Sequence, residues 1–535
     1  MRNFYFLTML FSLAASAQIS QVKDIFPGSS TATPPVINSS SPSNFFDFNG
    51  VLLFRAGDST GQELWKSDGT ADGTVQVKDI NSGTTASSNS NPTNFTLLNN
   101  QVVFIASNGT STNGTELWKT DGTNAGTIQL KDIRSGTASS NPQNFTLLNP
   151  TTLLFSANDG TTGVELWKTD GTEVGTVNVV DYPGTTNSIT WIENLNGLAV
   201  LGQIVSTTGR ELYASGGTAA TSSLLLDINP GTTLGVGTAF GKNGNTLFFP
   251  GNSGTTGLEL WKTNGTTAGT VLVKDINPGA TASGPIRFAT LGTTTYFRAT
   301  GINGEELWKT DGTEVGTVEV ADINTGAGNS NPDQIEAVNG ALYFFASDND
   351  TNFDFYKYDG TTLTKLFDFN ALSSTLTTNY VVLGNLVYFA ADSNADGSRE
   401  LWQTDGTIAG TVAVPTNGQN IVGVSNITKV GSKLFFGATL SDGQELFQYI
   451  PQPLSVDNLD RLQSIAVYPN PSSEFFYLSN PGNEQLNFEI FDLLGKKIDQ
   501  GIVTDNVIKT ELPSGMYMLK LSNNFSTTVK KIIKN

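Results

Sequence analysis

One phrase, Glu-Leu-Trp-Lys-Thr-Asp-Gly-Thr followed by two variable residues and Gly-Thr, returns along the chain at nearly constant spacing, and this repetition constrains the fold more than any other feature. Well-kept copies start at Glu63, Glu116, Glu165, Glu259, Glu306 and Glu400, and degraded ones at Glu211, Asp354 and Glu445. Successive copies are 53, 49, 46, 48, 47, 48, 46 and 45 residues apart. A period in the forties to low fifties, filled with short alternating strands and Gly-rich turns and lacking a helical pattern, predicts the four-stranded blades of a β-propeller.

The second unit serves as a template. Phe95 to Leu98 reads as the innermost strand, Val102 to Ala106 as the second, Glu116 to Thr120 as the third and Ile128 to Ile133 as the outer fourth. Second strands such as Val51 to Phe54 and Leu342 to Phe345 are apolar without alternation. That pattern implies burial on both faces, as where blades stack. Asp-Gly pairs such as Asp121-Gly122 stand between strands three and four, where they supply the positive φ of a tight hairpin.

Strand counting predicts how the ring closes. The fourth strand, with its Val-Lys-Asp-Ile ending, follows only eight of the nine third strands, and the missing copy is at the other end of the chain, at Gln21 to Ile25. Paired beside Glu445 to Tyr449, it would seal the last open sheet edge. The expectation is an all-β chain with a propeller of about nine four-stranded blades closed by both termini. Eight blades plus one irregular unit stays open, because nine exceeds the usual range of about four to eight.

Residues 1–17 carry Arg2, an apolar run from Phe4 to Ala14 and the small-residue site Ala15-Ser16-Ala17, the pattern of a cleavable signal peptide. The run is too short to span a bilayer, and no other segment is long enough, so no transmembrane segment is expected in the mature chain. The chain has no cysteine and no histidine. Disulfides, thiolate or imidazole zinc sites and Ser-His-Asp triads are therefore excluded. An enzyme of this composition would work with carboxylates, Tyr, Lys or Arg, which points to glycoside hydrolysis or lyase chemistry. The net charge is −19, with +1 in the signal segment and −1 in residues 455 to 535, so the ring region holds −19. Such a field repels nucleic acid and favours a cation, a neutral glycan or a basic protein surface.

The repeat stops at Pro451. The expected domains are thus residues 18–450 for the propeller, a linker over 451–458, and a small β-sandwich over 459–535. The last segment contains Tyr468-Pro469-Asn470-Pro471, the turn at Gly495, Gly515 with Tyr517, and the ending Lys530-Lys531-Ile532-Ile533-Lys534. Through these motifs it resembles the type A sorting domain of the type IX secretion system, an Ig-like β-sandwich. That resemblance implies the type IX secretion machinery as partner, and a protein secreted or attached to the outer cell surface. The repeat over residues 18 to 450 resembles the ELWxxDGT repeat family of secreted bacterial proteins, which carries no assigned activity.

Residues repeated in every blade read as architecture: the Trp as packing between blades, the adjacent Glu as a buried acceptor, and Asp79, Asp132 and their equivalents as caps of the next turn. Departures from the repeat are the candidate sites. Asp392, Asn394, Asp396 and Glu400 place oxygen ligands around Gly397 in the manner of half a calcium loop, so Ca2+ is the candidate cofactor. Asp348 to Asp354 is a second, weaker loop of that kind. The fourth unit adds Trp191 near Glu193 and Arg210, which would suit a sugar-stacking platform if the indole were exposed. The expected function is a non-enzymatic binding, adhesion or scaffold module presenting loops to glycan or protein. The alternative is a carbohydrate-active enzyme using carboxylates on propeller loops.

Overall fold

The computed structural model of the chain describes residues 18–29, 35–82, 88–109, 114–182, 184, 187–349, 352–371, 380–393, 397–441, 443–451, 465–479, 486–493, 495–522 and 527–535. The expected signal peptide and almost all of the expected linker lie outside these residues. Contacts divide the chain into two compact units that meet in sequence at Ile450 and Pro451.

Residues Gln18–Ile450 form nine four-stranded antiparallel sheets, the blades of a β-propeller. Blade one is Ser43–Phe48, Val51–Asp58, Gly61–Ser67 and Val75–Lys78, each strand pairing with the next. Blade two is Thr93–Leu98, Gln101–Ser107, Thr115–Thr120 and Ile128–Lys131, and blade three is Gln143–Asn149, Thr152–Asn158, Val164–Thr169 and Val177–Val180. Blade four is Ser188–Leu195, Leu198–Val205, Gly209–Ser215 and Ser222–Leu226. Blade five is Gly241–Asn243, Thr246–Gly251, Glu259–Thr263 and Val271–Lys274. The first strand of blade one lies between the first strands of blades two and nine, so the first strands form the inner wall and the ring is closed.

Closure follows the strand count. Blade nine takes Val422–Val430, Lys433–Leu440 and Gly443–Ile450 from the end of the array, and its outer strand is Gln18–Lys23 from the start. Gln18 stands opposite Ile450 and Lys23 opposite Leu446. The seam is packed like any other interface. Leu53, Leu64, Val77 and Ile80 of blade one meet Val102, Phe104, Ala106 and Trp118 of blade two. At the seam, Val22, Ile25, Phe435 and Leu446 of blade nine meet Leu52, Phe54, Ala56 and Trp65 of blade one. Alternate residues of one strand thus serve the two neighbouring blades, which is why the second strands read as unbroken apolar runs.

Two local devices set the blade shape. Entry into the first strand runs through left-handed residues: Asn91 before Pro92 has φ +48° and Asn94 has φ +58°, with the same pair at Asn141 and Asn144. Asparagine tolerates this region better than most residues, which explains the repeated Asn. The Asp-Gly turn is longer than the tight hairpin expected from sequence. Asp68 Oδ1 accepts the Thr70 N–H at 2.8 Å and its hydroxyl at 2.7 Å, while Gly69 supplies φ +91°. An Asx-type cap over a wider turn therefore replaces a two-residue loop. These bonds also hold the Asp68 carboxyl below its ordinary value, the Thr70 hydroxyl contributing most.

The C-terminal unit is a sandwich. A three-stranded sheet of Val467–Tyr468, Phe475–Leu478 and Val507–Lys509 and a four-stranded sheet of Lys497–Ile502, Asn487–Phe491, Gly515–Ser522 and Thr527–Lys534 share a core around Phe476, Ile490, Leu519 and Ile532.

Candidate functional site

The repeated glutamate is a clamp between blades. Glu116 is fully buried, and its carboxylate accepts the Ile133 N–H at 2.9 Å, just beyond its own fourth strand. It also accepts the Ser140 N–H at 2.7 Å and the Ser140 hydroxyl at 2.6 Å, at the entry to the next blade. Glu259 repeats this with Ile276 and Ser283, and Glu306 with Ile323 and Ser330. At the seam Glu445 accepts from Ile25 and Ser40, joining the two ends of the array. Burial raises the pKa of each of these carboxyls, and the hydrogen bonds oppose the shift only in part.

The repeated lysine is a second fastening. Lys66 donates to the Gly122 carbonyl of the next blade at 2.9 Å, Lys119 to Gly171 at 2.9 Å and Lys262 to Gly312 at 2.8 Å. The Trp side chains of the phrase pack between blades, Trp65 and Trp118 being 6% exposed. Their indole N–H groups are buried without a hydrogen-bond partner among the described residues. Of the fourth-strand aspartates, Asp275 and Asp322 cap the next turn, accepting from Gly279 and Gly326.

Blade seven (Asp333–Val338, Ala341–Ala346, Phe353–Tyr358 and Leu363–Ala371) and blade eight (Val381–Leu383, Leu386–Ala391, Glu400–Thr404 and Val412–Ala413) depart from the clamp by finding internal partners. In blade eight, Asp392 is fully buried and its Oδ2 accepts the Gly397 N–H at 2.8 Å. Glu400 turns to Ser393, accepting its N–H and its hydroxyl at 3.3 Å each. Asn394 and Asp396, the other two candidate calcium ligands, lie outside the described residues. No group of three or more acidic side chains suited to a metal ion is found among the described residues. In blade seven, Lys365 donates to Asp348 Oδ2 at 2.6 Å and to Asp354 Oδ2 at 2.7 Å. The ammonium thus pairs with two of the carboxylates of the weaker calcium loop; Asp350 and Thr351 of that loop are outside the described residues.

Blade four departs without repair. Trp191 is 3% exposed and donates to the Gly237 carbonyl at 3.1 Å, so it is core and not a stacking platform. Glu193 pairs with Lys242 at 3.2 Å, away from Arg210. The clamp residue Glu211 is fully buried and its Oε2 accepts the Ile228 N–H at 2.7 Å. Gly235 stands where the regular clamps have Ser40, Ser90, Ser140, Ser283 or Ser330, because its N–H bonds the Arg210 carbonyl as the Ser90 N–H bonds that of Gln62. No hydroxyl is available there, and Glu211 Oε1 is left without a hydrogen bond of good geometry. Burial pushes the Glu211 carboxyl up to about 7.

Next to this incomplete clamp, at the junction of blades four and five, is a cleft of about 580 Å³ lined by Arg210, Asn229, Thr233, Leu234, Asn252, Gly254 and Leu258. Arg210 Nε donates to the Val236 carbonyl at 2.6 Å, which fixes the guanidinium. Burial lowers its pKa, and it forms no ion pair among the described residues. The Asn229 side-chain amide makes no hydrogen bond among the described residues, whereas that of its counterpart Asn81 donates to the Asn89 carbonyl. Sequence reading marked Arg210 but missed Gly235, Asn229 and Asn252. The legible signal was the loss of the Ser-x-Pro entry, as in Ser90-Asn91-Pro92, at Gly235-Val236-Gly237.

In the C-terminal unit the motif residues tie the last strand down. Asn470 accepts the Ile533 N–H at 2.8 Å and donates to the Lys531 carbonyl at 2.8 Å. The Tyr517 hydroxyl donates to the Pro513 carbonyl at 3.0 Å, and Gly495 turns with φ +83°. Lys531 is exposed, but Lys534 is 7% exposed, with Nζ donating to Ser473 and Glu474.

Among solved structures the chain is similar to two of puromycin hydrolase, at 14% and 13% identity, each with a TM-score of 0.33, covering 62% and 63% of this chain. It is also similar to a prolyl endopeptidase, at 10% identity, TM-score 0.38 and 76% coverage. The chain spans 52%, 59% and 55% of those three chains respectively. No curated protein matches it. No helix among the described residues is long and apolar enough to cross a membrane. The family model described as a secretion system C-terminal sorting domain matches residues 466–535. The chain therefore ends in a type IX secretion sorting domain that engages the secretion machinery, and the protein is secreted or displayed at the cell surface.

Proposed function

We propose that the ring is an ELWxxDGT-repeat propeller acting outside the cell as a non-enzymatic binding module, with the cleft between blades four and five as its site. The observation that carries this reading is the asymmetry of the ring. In the regular blades the buried carboxylates and the lysines are spent on neighbouring blades, whereas blade four leaves a guanidinium and an amide unspent at a cleft. A concave site with a few convergent polar groups on a rigid scaffold suits binding. The test is affinity electrophoresis of the mature chain through gels containing algal, plant and bacterial polysaccharides. Retardation without clearing of the polymer is expected. Clearing would replace binding by carbohydrate-active catalysis, and no retardation would move the role to protein contacts or scaffolding.

A further inference from the structure

We infer that the cleft beside Arg210 is a subsite for an acidic saccharide, a sugar bearing a carboxylate or a sulfate ester, with Arg210 holding the anionic group. The inference rests on the binding-module reading and names the ligand class of that same site.

Three observations converge on it. The first is the guanidinium itself. In an acidic chain, Arg210 is half-buried, held in one orientation through Nε, and without an ion pair among the described residues. A partly desolvated guanidinium is costly to leave unpaired, and its planar fork matches a carboxylate or sulfate through two parallel hydrogen bonds. The second is the set of neutral polar groups around it. The free amide of Asn229, the hydroxyl of Thr233 and Asn252 offer donors and acceptors of the kind that sugar hydroxyls take, while Leu234 and Leu258 offer apolar surface to a ring face. The third is size. About 580 Å³ lies inside the range of about 300 to 1,000 Å³ usual for small-ligand sites.

The overall charge of −19 does not forbid an anion here. Exposed charges beyond about 8 Å are screened at physiological ionic strength. Glu211, next to Arg210 in the chain, has its carboxyl pushed up to about 7 by burial, and no acid contributes to the shift of Arg210 itself. The expected consequence is tighter binding as salt rises from very low values, because distant repulsion is screened first.

The experiment is calorimetric titration of the mature full-length chain with three probes: an oligogalacturonate, a sulfated galactan oligosaccharide and neutral maltotriose, with sodium acetate as the control for a bare carboxylate. Binding of either acidic oligosaccharide, at least tenfold tighter than maltotriose and acetate, is expected. Arg210→Gln should weaken it roughly ten- to a hundredfold, the loss of a charge-assisted pair. Asn229→Ala, which removes no bond from the fold, should weaken it several-fold with an unchanged melting midpoint, so the inference stays testable if Arg210→Gln is unstable. Maltotriose bound as tightly as the acidic probes, and unaffected by Arg210→Gln, would overturn this inference while leaving the binding-module reading intact. Acetate bound as tightly as the oligosaccharides would remove the saccharide. If none of the probes binds, this inference is overturned; gel retardation would then keep the glycan-binding reading, and its absence as well would leave only protein contacts or scaffolding.

Discussion

The seam offers the sharpest test of how the ring is held. Glu445→Ala removes the acceptor of three buried donors: the Ile25 N–H at 2.9 Å, the Ser40 N–H at 3.0 Å and the Ser40 hydroxyl at 2.6 Å. Each buried donor left unsatisfied costs about 1 to 3 kcal/mol. Relief of the buried charge offsets part of this, since burial raises the pKa of Glu445. A net loss of about 3 kcal/mol is expected at pH 8. Glu116→Ala is the internal control, because Glu116 makes the same three bonds to Ile133 and Ser140 at an interior interface. The two variants should lose similar stability in denaturant titration, but they should open differently. At the seam the carboxylate secures the residues that follow the strand Gln18–Lys23, so limited proteolysis of Glu445→Ala should cut first near Ile25 and release that strand. In Glu116→Ala the first cut should fall in the crossover between blades two and three. A loss below about 0.5 kcal/mol in both variants, the range of an ordinary surface substitution, would refute the clamp.

The ring should also be more stable in mild acid. Burial pushes Glu63 and Glu211 up to about 7 in the folded state, from an ordinary value near 4.5, so their contribution is full below pH 4.5 and is lost as pH rises through 7. With no histidine in the chain to titrate in this window, the melting midpoint should fall between pH 5 and pH 8, and Glu211→Gln should flatten that fall by up to about 3 kcal/mol. Lys365→Met strands Asp354, which is 2% exposed, beside Asp348, and should cost about 3 kcal/mol at neutral pH in thermal unfolding. Lys534→Met leaves the Ser473 and Glu474 carbonyls without their donor and should lower the midpoint of the C-terminal sandwich, read by its own calorimetric transition, while the propeller transition stays put.

What the sequence made legible was what it repeated. Strand order, the glutamate as buried acceptor, the tryptophan as packing and the seam at Gln21 all follow from comparing the units of one chain, because a position filled nine times reveals its local role. The Asp-Gly turn was misread as tight because the pair alone does not show that the following Thr is the capped residue, as Thr70 is by Asp68. The cleft was largely illegible. Arg210, Asn229 and Asn252 come from a third strand, a crossover and the next blade, and only folding brings them together. Trp191 misled for a similar reason: an unrepeated aromatic reads equally well as exposed or buried until its Nε1 is seen to meet Gly237.

Gly235 decides whether the incomplete clamp is an accident of packing or a feature of the cleft. A Cβ built at Gly235 would lie 2.1 Å from Glu211 Oε1 and 2.3 Å from Oε2, so the carboxylate has moved into the space that the serine side chain fills elsewhere. Those atoms are the far end of a flexible side chain, and Gly235 is not in the left-handed region, so serine fits once Glu211 withdraws to the position that Glu116 holds against Ser140. Gly235→Ser should then restore the regular clamp. It gains about 1 kcal/mol from the new hydrogen bond and about 0.5 kcal/mol from a stiffer unfolded chain. Unfolding in denaturant should shift upward by about that sum. A destabilisation of 2 kcal/mol or more would mean that Glu211 cannot withdraw. If the variant is more stable yet binds the acidic saccharide less tightly, the missing serine is the means by which this blade trades clamp strength for an open site, as expected where a departure from a fold's local rules serves its function.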